Sequence, residues 1–207
     1  ACLAGPRPPG GALIAPLSPA GSRPGHTAGM PHTRTRTLLI VWHSMTGGTR
    51  QMAEAAAAAA RLEAEEPAPD AAAWPLQVRL VHAREAGPDD VLAADGYLFA
   101  TPECLAAMGG LMKDFFDRSY YAVLDHVAGR PYASLVCAGS DGQGAARQIA
   151  RIATGWRLAQ VAEPLIVCTR VQTPERILAP KRIEPDDLQR CHELGAAMAA
   201  GLRLGVF

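Results

Sequence analysis

Residues 37–65 read TLLIVWHSMTGGTRQMAEAAAAAARLEAE, and they combine three patterns in one short segment. The apolar run TLLIVW is typical of a strand that is buried on both faces of a parallel sheet. A polar turn, HSMTGGTR, follows it, and the run QMAEAAAAAARLEAE has high helix propensity throughout. The segment therefore predicts a buried strand, a loop and a helix in direct succession.

The same alternation continues to the end of the chain. We expect further strands at residues 76–81, 96–100, 133–138 and 165–168. Further helices are predicted at residues 110–121, 143–159 and 185–202. Five strands that alternate with helices predict an α/β fold with a five-stranded, doubly wound parallel sheet. Ligands bind at the carboxyl ends of the strands in such sheets, so we expect the site just after Trp42, Ala100 and Ala138.

The first 36 residues differ in composition from the rest of the chain. They are rich in Pro, Gly, Ala, Ser and Thr and contain no acidic residue, so residues 1–36 are predicted to be a disordered N-terminal extension. A signal peptide is an alternative, but Pro16 interrupts the weakly apolar residues 11–17. Translation that starts at Met30 is a further hypothesis. Residues 37–207 are predicted to form one domain.

Charge and composition exclude several classes of function. All 20 acidic residues lie after residue 36 and four of the 20 basic residues lie within residues 1–36, so residues 37–207 carry 16 basic residues and a net charge of −4. This balance gives no electrostatic footprint for nucleic acid. No apolar segment approaches the roughly 20 residues that a membrane-spanning helix needs.

The cysteines give no sign of a disulfide framework or a zinc site. The five of them, Cys2, Cys104, Cys137, Cys168 and Cys191, are scattered, odd in number and without CxxC spacing. This usage is typical of a reducing compartment, and we expect a cytoplasmic protein.

The loop after the first strand has the composition of a phosphate-binding site. Ser44, Thr46 and Thr49 offer hydroxyl donors, and Gly47 and Gly48 let backbone N–H groups approach a ligand. The start of the following helix adds unpaired N–H donors and a positive dipole end. The loop has neither Walker spacing nor GxGxxG, which disfavours a nucleoside triphosphate or a dinucleotide. The competing interpretation is an ordinary strand-to-helix turn with Thr49 as the helix cap.

The segment SMTGGT is similar to the S/T-x-T-G-x-T phosphate loop of the flavodoxin family. The resemblance implies a sheet with strand order 2-1-3-4-5. It also implies that the loop wraps the 5′-phosphate of FMN with hydroxyls and backbone amides, and the residues concerned are Ser44, Met45, Thr46, Gly47, Gly48 and Thr49.

A second segment narrows the resemblance to one branch of that family. Residues 101–118, TPECLAAMGGLMKDFFDR, resemble the TPxYxGxxxGxLKxFxDR segment of NAD(P)H-dependent FMN reductases and WrbA-like quinone reductases. The resemblance implies that one stretch of backbone faces the edge of the flavin ring, and this stretch comprises Thr101, Pro102, Glu103, Cys104 and Leu105. The usual aromatic residue is missing from it. Lys113 and Asp117, four residues apart, predict a contact along the helix surface.

The third loop reads AGSDGQGAAR, residues 138–147. In the resembling family it borders the isoalloxazine ring of FMN. The predicted contacts are Ala138, Gly139, Ser140, Asp141, Gly142 and Gly144. His43 is interpreted as a packing residue, because hydride transfer to a flavin needs no protein base.

These patterns together predict an FMN-dependent NAD(P)H oxidoreductase that passes electrons to a quinone, a flavin or another small acceptor, with the chemistry on the flavin and no catalytic side chain. A homodimer or homotetramer is expected from the resemblance. One alternative is a flavodoxin-type electron carrier that does not oxidise NAD(P)H. Another is a partner-binding module that has lost its cofactor. Residues 170–184 fit no regular element and are predicted to be a surface loop that either meets a partner or borders the site.

Overall fold

The computed structural model of the chain describes residues 34–67 and 73–207. The strands, in chain order, are β1 (Arg36–Trp42), β2 (Leu76–His82), β3 (Gly96–Cys104), β4 (Ala107–Met108), β5 (Pro131–Ala138), β6 (Ala159–Gln160) and β7 (Leu165–Cys168). The helices are α1 (Gly48–Glu65), α2 (Pro88–Ala93), α3 (Gly110–Val123), α4 (Gln143–Gly155), α5 (Pro174–Leu178) and α6 (Pro185–Leu204). Residues 1–33 of the predicted N-terminal extension lie outside the described residues, and Arg36 is the first residue of β1.

The strands form a parallel sheet with the order β2-β1-β3-β5, followed by an edge position that β6 and β7 share. Strand β6 pairs with the start of β5 and β7 pairs with its end. Between them lies Pro164, which has no backbone N–H to donate to a neighbouring strand. Counted as five positions, the order is the predicted 2-1-3-4-5, and the predicted α/β class is confirmed. Strand β4 is an antiparallel addition that forms a hairpin with the end of β3.

Helices cover both faces of the sheet. Side chains of β1 alternate between two cores, since Leu39 and Val41 pack with residues of α2, α3 and α4, whereas Leu38 and Ile40 pack with residues of α1 and α6. All four side chains are fully buried. This burial on both faces is the reason why the first strand is a continuous apolar run instead of an alternating one.

Several elements differ from the sequence-based expectation. The helix that was predicted at residues 143–159 is shorter in the structure, because α4 ends at Gly155 and Ala159 belongs to β6. Arg157 takes a left-handed conformation (φ 57°), which breaks the helix and turns the chain toward the sheet. Residues 170–184 were expected to be a loop, and they contain the short helix α5. The expected contact between Lys113 and Asp117 is confirmed, with Nζ and Oδ1 2.6 Å apart.

Helices α1 and α6 pack with their backbones in direct contact. The buried face of α1 is made largely of alanines, among them Ala53, Ala56 and Ala57. Gly195 of α6 lies against the backbone of Ala56, and a Cβ atom at Gly195 would overlap the Ala56 carbonyl group. The small side chains on both helices therefore set the distance between them.

We expect the Gly195→Ala substitution to lower the free energy of unfolding by about 1–3 kcal/mol, because the added methyl group forces two packed backbones apart. Denaturant unfolding followed by circular dichroism measures the change. Gly155→Ala is the matched control, since a Cβ there meets no atom within 4 Å and the helix gains propensity. Equal stability of the two variants would contradict the packing argument.

Candidate functional site

A cavity of about 510 Å³ opens at the carboxyl ends of β1, β3 and β5, within the size range of small-molecule sites. It brings together most of the predicted contacts, namely Ser44, Met45, Thr46, Gly48, Thr49, Pro102, Glu103, Cys104, Leu105, Ala138, Gly139 and Ser140. Four further lining residues, Val171, Ile177, Leu178 and Lys181, belong to residues 170–184, for which a border of the site was one of two expectations, and the last two, Cys137 and Thr169, were not predicted. Gly47, Thr101, Asp141, Gly142 and Gly144 do not line it.

The phosphate loop (residues 44–49) turns tightly into α1. Gly47 caps the helix in a left-handed conformation (φ 87°), and its N–H donates to the Ser44 hydroxyl at 3.0 Å. Within the described part of the chain, no side chain caps the first turn of α1. Gly48 is buried against β5, where a Cβ atom would lie 2.6 Å from the sulfur of Cys137. The glycine thus lets the helix begin at the cavity with its N–H donors available.

Thr49 is the most informative residue of this loop. Its hydroxyl is buried and has no hydrogen-bond partner among the described residues, so the interpretation of Thr49 as the helix cap is wrong. The neighbouring Cys137 thiol, whose pKa the hydroxyl lowers slightly, offers only a weak sulfur contact that does not meet hydrogen-bond geometry. An unsatisfied buried hydroxyl costs about 1–3 kcal/mol, which a ligand oxygen offsets. A hydroxyl, backbone amides and a helix dipole suit a phosphate ester, so the residues present fit the phosphate of FMN.

Lys181 adds a positively charged side chain to the lining of the cavity. The phosphate loop itself, residues 44–49, contains neither Lys nor Arg. Its backbone N–H donates to the carbonyl oxygen of Thr46 at 2.8 Å. Its ammonium group donates to backbone carbonyls around the end of α5. No local pattern marks Lys181 in the sequence, because it reaches the cavity through a contact between distant segments.

On the far side of the cavity, Glu103 joins two loops. Its carboxylate accepts hydrogen bonds from the N–H groups of Gly142 and Gly144, at 2.7 and 3.2 Å. These two amides were expected to face the cofactor, and in the structure they bind the carboxylate at the start of α4. A Cβ atom at Gly144 would overlap the carbonyl of Ala106, so the hairpin of β3 and β4 lies directly on α4.

The turn of this hairpin has an unusual conformation. Leu105 and Ala106 both have positive φ angles, 51° and 60°, a geometry that glycine and asparagine normally supply. Thr101 anchors the base of the hairpin, where its buried hydroxyl accepts the N–H of Gly109 at 3.0 Å. The result is that the Leu105 side chain stands fully exposed at the rim of the cavity.

The two thiols that line the cavity are poor nucleophiles. Burial, and to a smaller degree the Glu103 carboxylate, raise the pKa of Cys104. Burial raises the pKa of Cys137 to about 11, against a smaller lowering by the neighbouring Thr49 hydroxyl and by Lys181. Both groups therefore stay protonated near neutral pH, and they act as small packing residues.

His43 and Asp141 lie outside the cavity. His43 is buried against Gly109, where an added Cβ atom would lie 2.8 Å from its ring, and its Nδ1 atom has no partner among the described residues. Burial lowers its pKa, and His82 and Arg84 lower it further, so the ring is neutral near pH 7. These features agree with a packing role for His43. Asp141 is exposed on the surface.

No group of three or more His, Cys, Asp or Glu side chains within residues 34–67 and 73–207 is arranged to hold a metal ion. Over the same ranges, every helix is too short or too polar to cross a bilayer.

Comparison with known proteins agrees with this geometry. A flavodoxin from Aquifex aeolicus is 34% identical over 116 residues, 55% of each chain. An NAD(P)H dehydrogenase (quinone) from Acidithiobacillus ferrooxidans is 36% identical over 93 residues, 40% of this chain and 46% of the relative. The chain thus matches about half the length of these curated relatives.

Solved structures share the fold at low identity. The flavodoxin, WrbA-like protein from Agrobacterium tumefaciens superposes with a TM-score of 0.60 at 17% identity, covering 81% of this chain and 98% of that one. The family model described as NADPH-dependent FMN reductase matches residues 43–168, more than half of the chain, including the phosphate loop and both loops on the far side of the cavity. The chain therefore belongs to the NADPH-dependent FMN reductase family.

Proposed function

We propose that this protein is an FMN-dependent NAD(P)H oxidoreductase that delivers electrons to a quinone, a flavin or another small acceptor. The observation that carries the proposal is the buried hydroxyl of Thr49, which has no partner among the described residues and stands at the uncapped start of α1 in the cavity. Such a hydroxyl calls for an acceptor from the ligand. The ester phosphate of FMN provides one.

Each wall of the cavity has a distinct task in this proposal. The phosphate loop holds the phosphate with the Thr49 hydroxyl and the first amides of α1. Residues 102–105 and 138–140 flank the ring and exclude water from it. When bound, FMN accepts a hydride from NAD(P)H and passes the two electrons on. The chain's own part is binding and orientation, and no side chain needs to act as a base.

Two observations favour an enzyme over an electron carrier. The segment from Thr101 to Arg118 resembles reductases, and residues 37–207 carry a net charge of only −4, little for a protein that finds redox partners by charge. The curated relatives include a flavodoxin as well as an NAD(P)H dehydrogenase (quinone), so the carrier is the second candidate.

Anaerobic reduction separates the two candidates. The purified protein with bound FMN should lose its visible flavin absorbance within seconds of mixing with NADPH or NADH, because bound flavin then takes up the hydride directly. Full reduction by dithionite but none by either pyridine nucleotide would support the carrier. A colourless protein that binds no added FMN would contradict both.

The Thr49→Val substitution should weaken FMN binding by about 10- to 100-fold, because a hydrogen bond from a buried hydroxyl to an ionised phosphate is worth about 1.5–3 kcal/mol. Riboflavin, which lacks the phosphate, should bind the variant as it binds the wild type. Fluorescence titration measures both affinities. Thr154→Val is the control, since that exposed hydroxyl only donates to the Ala150 carbonyl within α4. A parallel loss of FMN and riboflavin affinity would place the hydroxyl away from the phosphate.

The Glu103→Ala substitution should lower the free energy of unfolding by about 1–3 kcal/mol, because two buried N–H groups at the start of α4 lose their acceptor. It should also weaken FMN and riboflavin equally, since the hairpin and the α4 start are no longer joined. Thermal unfolding and flavin titration give the two readouts. Glu54→Ala removes a carboxylate from an exposed pair with Arg50 and should change neither.

A further inference from the structure

Residues 173–183, which we call the strap, run along one side of the cavity between the end of the sheet and α6. The strap contains α5, and its Ile177, Leu178 and Lys181 side chains line the cavity. None of the side chains of α5 is buried. A helix of five residues is not stable by itself in water, so its position must be fixed by contacts with the rest of the chain.

The strap is hydrogen-bonded to the phosphate loop. The Lys181 N–H donates to the Thr46 carbonyl at 2.8 Å. The Gln51 side chain completes the connection, because its amide NH₂ donates to the carbonyls of Gly47 and Lys181, at 3.0 and 2.7 Å, and its oxygen accepts the N–H of Ile183 at 3.2 Å. The position of the strap is therefore tied to that of the phosphate loop.

The side chain of Lys181 holds α5 in place. Its Nζ atom donates to the carbonyl oxygens of Arg176, Ile177 and Ala179 at 2.7, 2.7 and 2.6 Å. A positive charge at the C-terminal end of a helix is favourable, and three bonds use all the donors of an ammonium group. The ammonium group of Lys181 is thus bound by carbonyl groups of the strap, and the position of α5 depends on these hydrogen bonds.

The strap presents aliphatic surface at the cavity. Ile177 is 49% exposed and Leu178 is 78% exposed, and two other exposed apolar side chains, Met45 and Leu105, line the same cavity. Exposed apolar side chains gathered around one cavity indicate a binding surface for an apolar group. The cavity also includes the phosphate loop, so a ligand with both a phosphate and a planar apolar ring matches both parts of its lining.

We propose that the strap is a further wall of the flavin site, in which Ile177 and Leu178 pack on the flat aromatic face of the FMN ring and Lys181 is the positioning residue that holds them there. The inference rests on FMN as the ligand of the proposed function. Residues 101–105 contain no aromatic side chain that could contact the flavin ring. In this proposal, the aliphatic side chains of Ile177 and Leu178 make that contact.

Flavin titration of the strap variants tests the ring contact. FMN or riboflavin is titrated into the flavin-depleted full chain that carries Leu178→Ala. Because flavin binding would bury the leucine side chain, its removal should weaken the binding of FMN and of riboflavin alike by about tenfold. The ratio of the two dissociation constants should stay as in the wild type. Leu62→Ala is the matched control, because Leu62 is an exposed leucine of α1 that does not line the cavity.

Two variants of Lys181 test the positioning role. Lys181→Met should weaken the binding of both flavins and speed amide hydrogen exchange in residues 175–179, whereas Lys181→Arg, which keeps the charge and the donors, should restore most of the affinity and most of the protection. Loss of FMN affinity alone in Lys181→Met would make Lys181 a direct phosphate ligand and overturn the positioning role. Unchanged flavin affinity in Leu178→Ala would overturn the ring contact.

The outcomes also separate this inference from the proposed function. A wild-type protein that binds FMN, with strap variants that bind it equally well, would overturn the strap inference alone. A wild-type protein that binds neither FMN nor riboflavin would overturn both.

Discussion

The close approach of α1 to the end of β5 is the constraint on which the site depends. Glycine at position 48 makes this approach possible, because a Cβ atom there would overlap the sulfur of Cys137. Because of it, the first turn of the helix begins inside the cavity with no side-chain cap, and the Thr49 hydroxyl is buried without a partner among the described residues. A local packing requirement thus gathers the hydroxyls and backbone amides that we propose bind the phosphate.

The other walls of the cavity are joined to this point or to one another by hydrogen bonds. The strap is joined to the phosphate loop by the N–H of Lys181 and the side chain of Gln51. Across the cavity, Glu103 joins the β3 hairpin to the start of α4 through the amides of Gly142 and Gly144. These hydrogen bonds fix the walls of the cavity, and exposed aliphatic side chains such as Leu178 line it where we propose that the flavin ring binds.

The sequence predicted the parts of the molecule that depend on local patterns. The buried strand β1 and the helix α1 follow from residues adjacent in the chain, the sheet order follows from the resemblance to the flavodoxin family, and all three agree with the structure. What it missed depends on contacts between distant segments. Lys181 and the strap reach the cavity only through tertiary hydrogen bonds, and the amides of Gly142 and Gly144 are occupied by Glu103, which lies about 40 residues earlier in the chain. Such pairings leave no periodicity in a single sequence.

The most direct test of the account is the phosphorus NMR signal of FMN bound to the protein, followed as a function of pH. A free phosphate monoester titrates with a pKa of about 6. In the proposed site, the phosphate accepts hydrogen bonds from the Thr49 hydroxyl and from backbone amides of α1, and these bonds favour the dianion. We expect the phosphorus signal of bound FMN to differ from that of free FMN and to stay constant from about pH 8 to well below the pKa of the free ester. A bound signal that titrates like free FMN would contradict it.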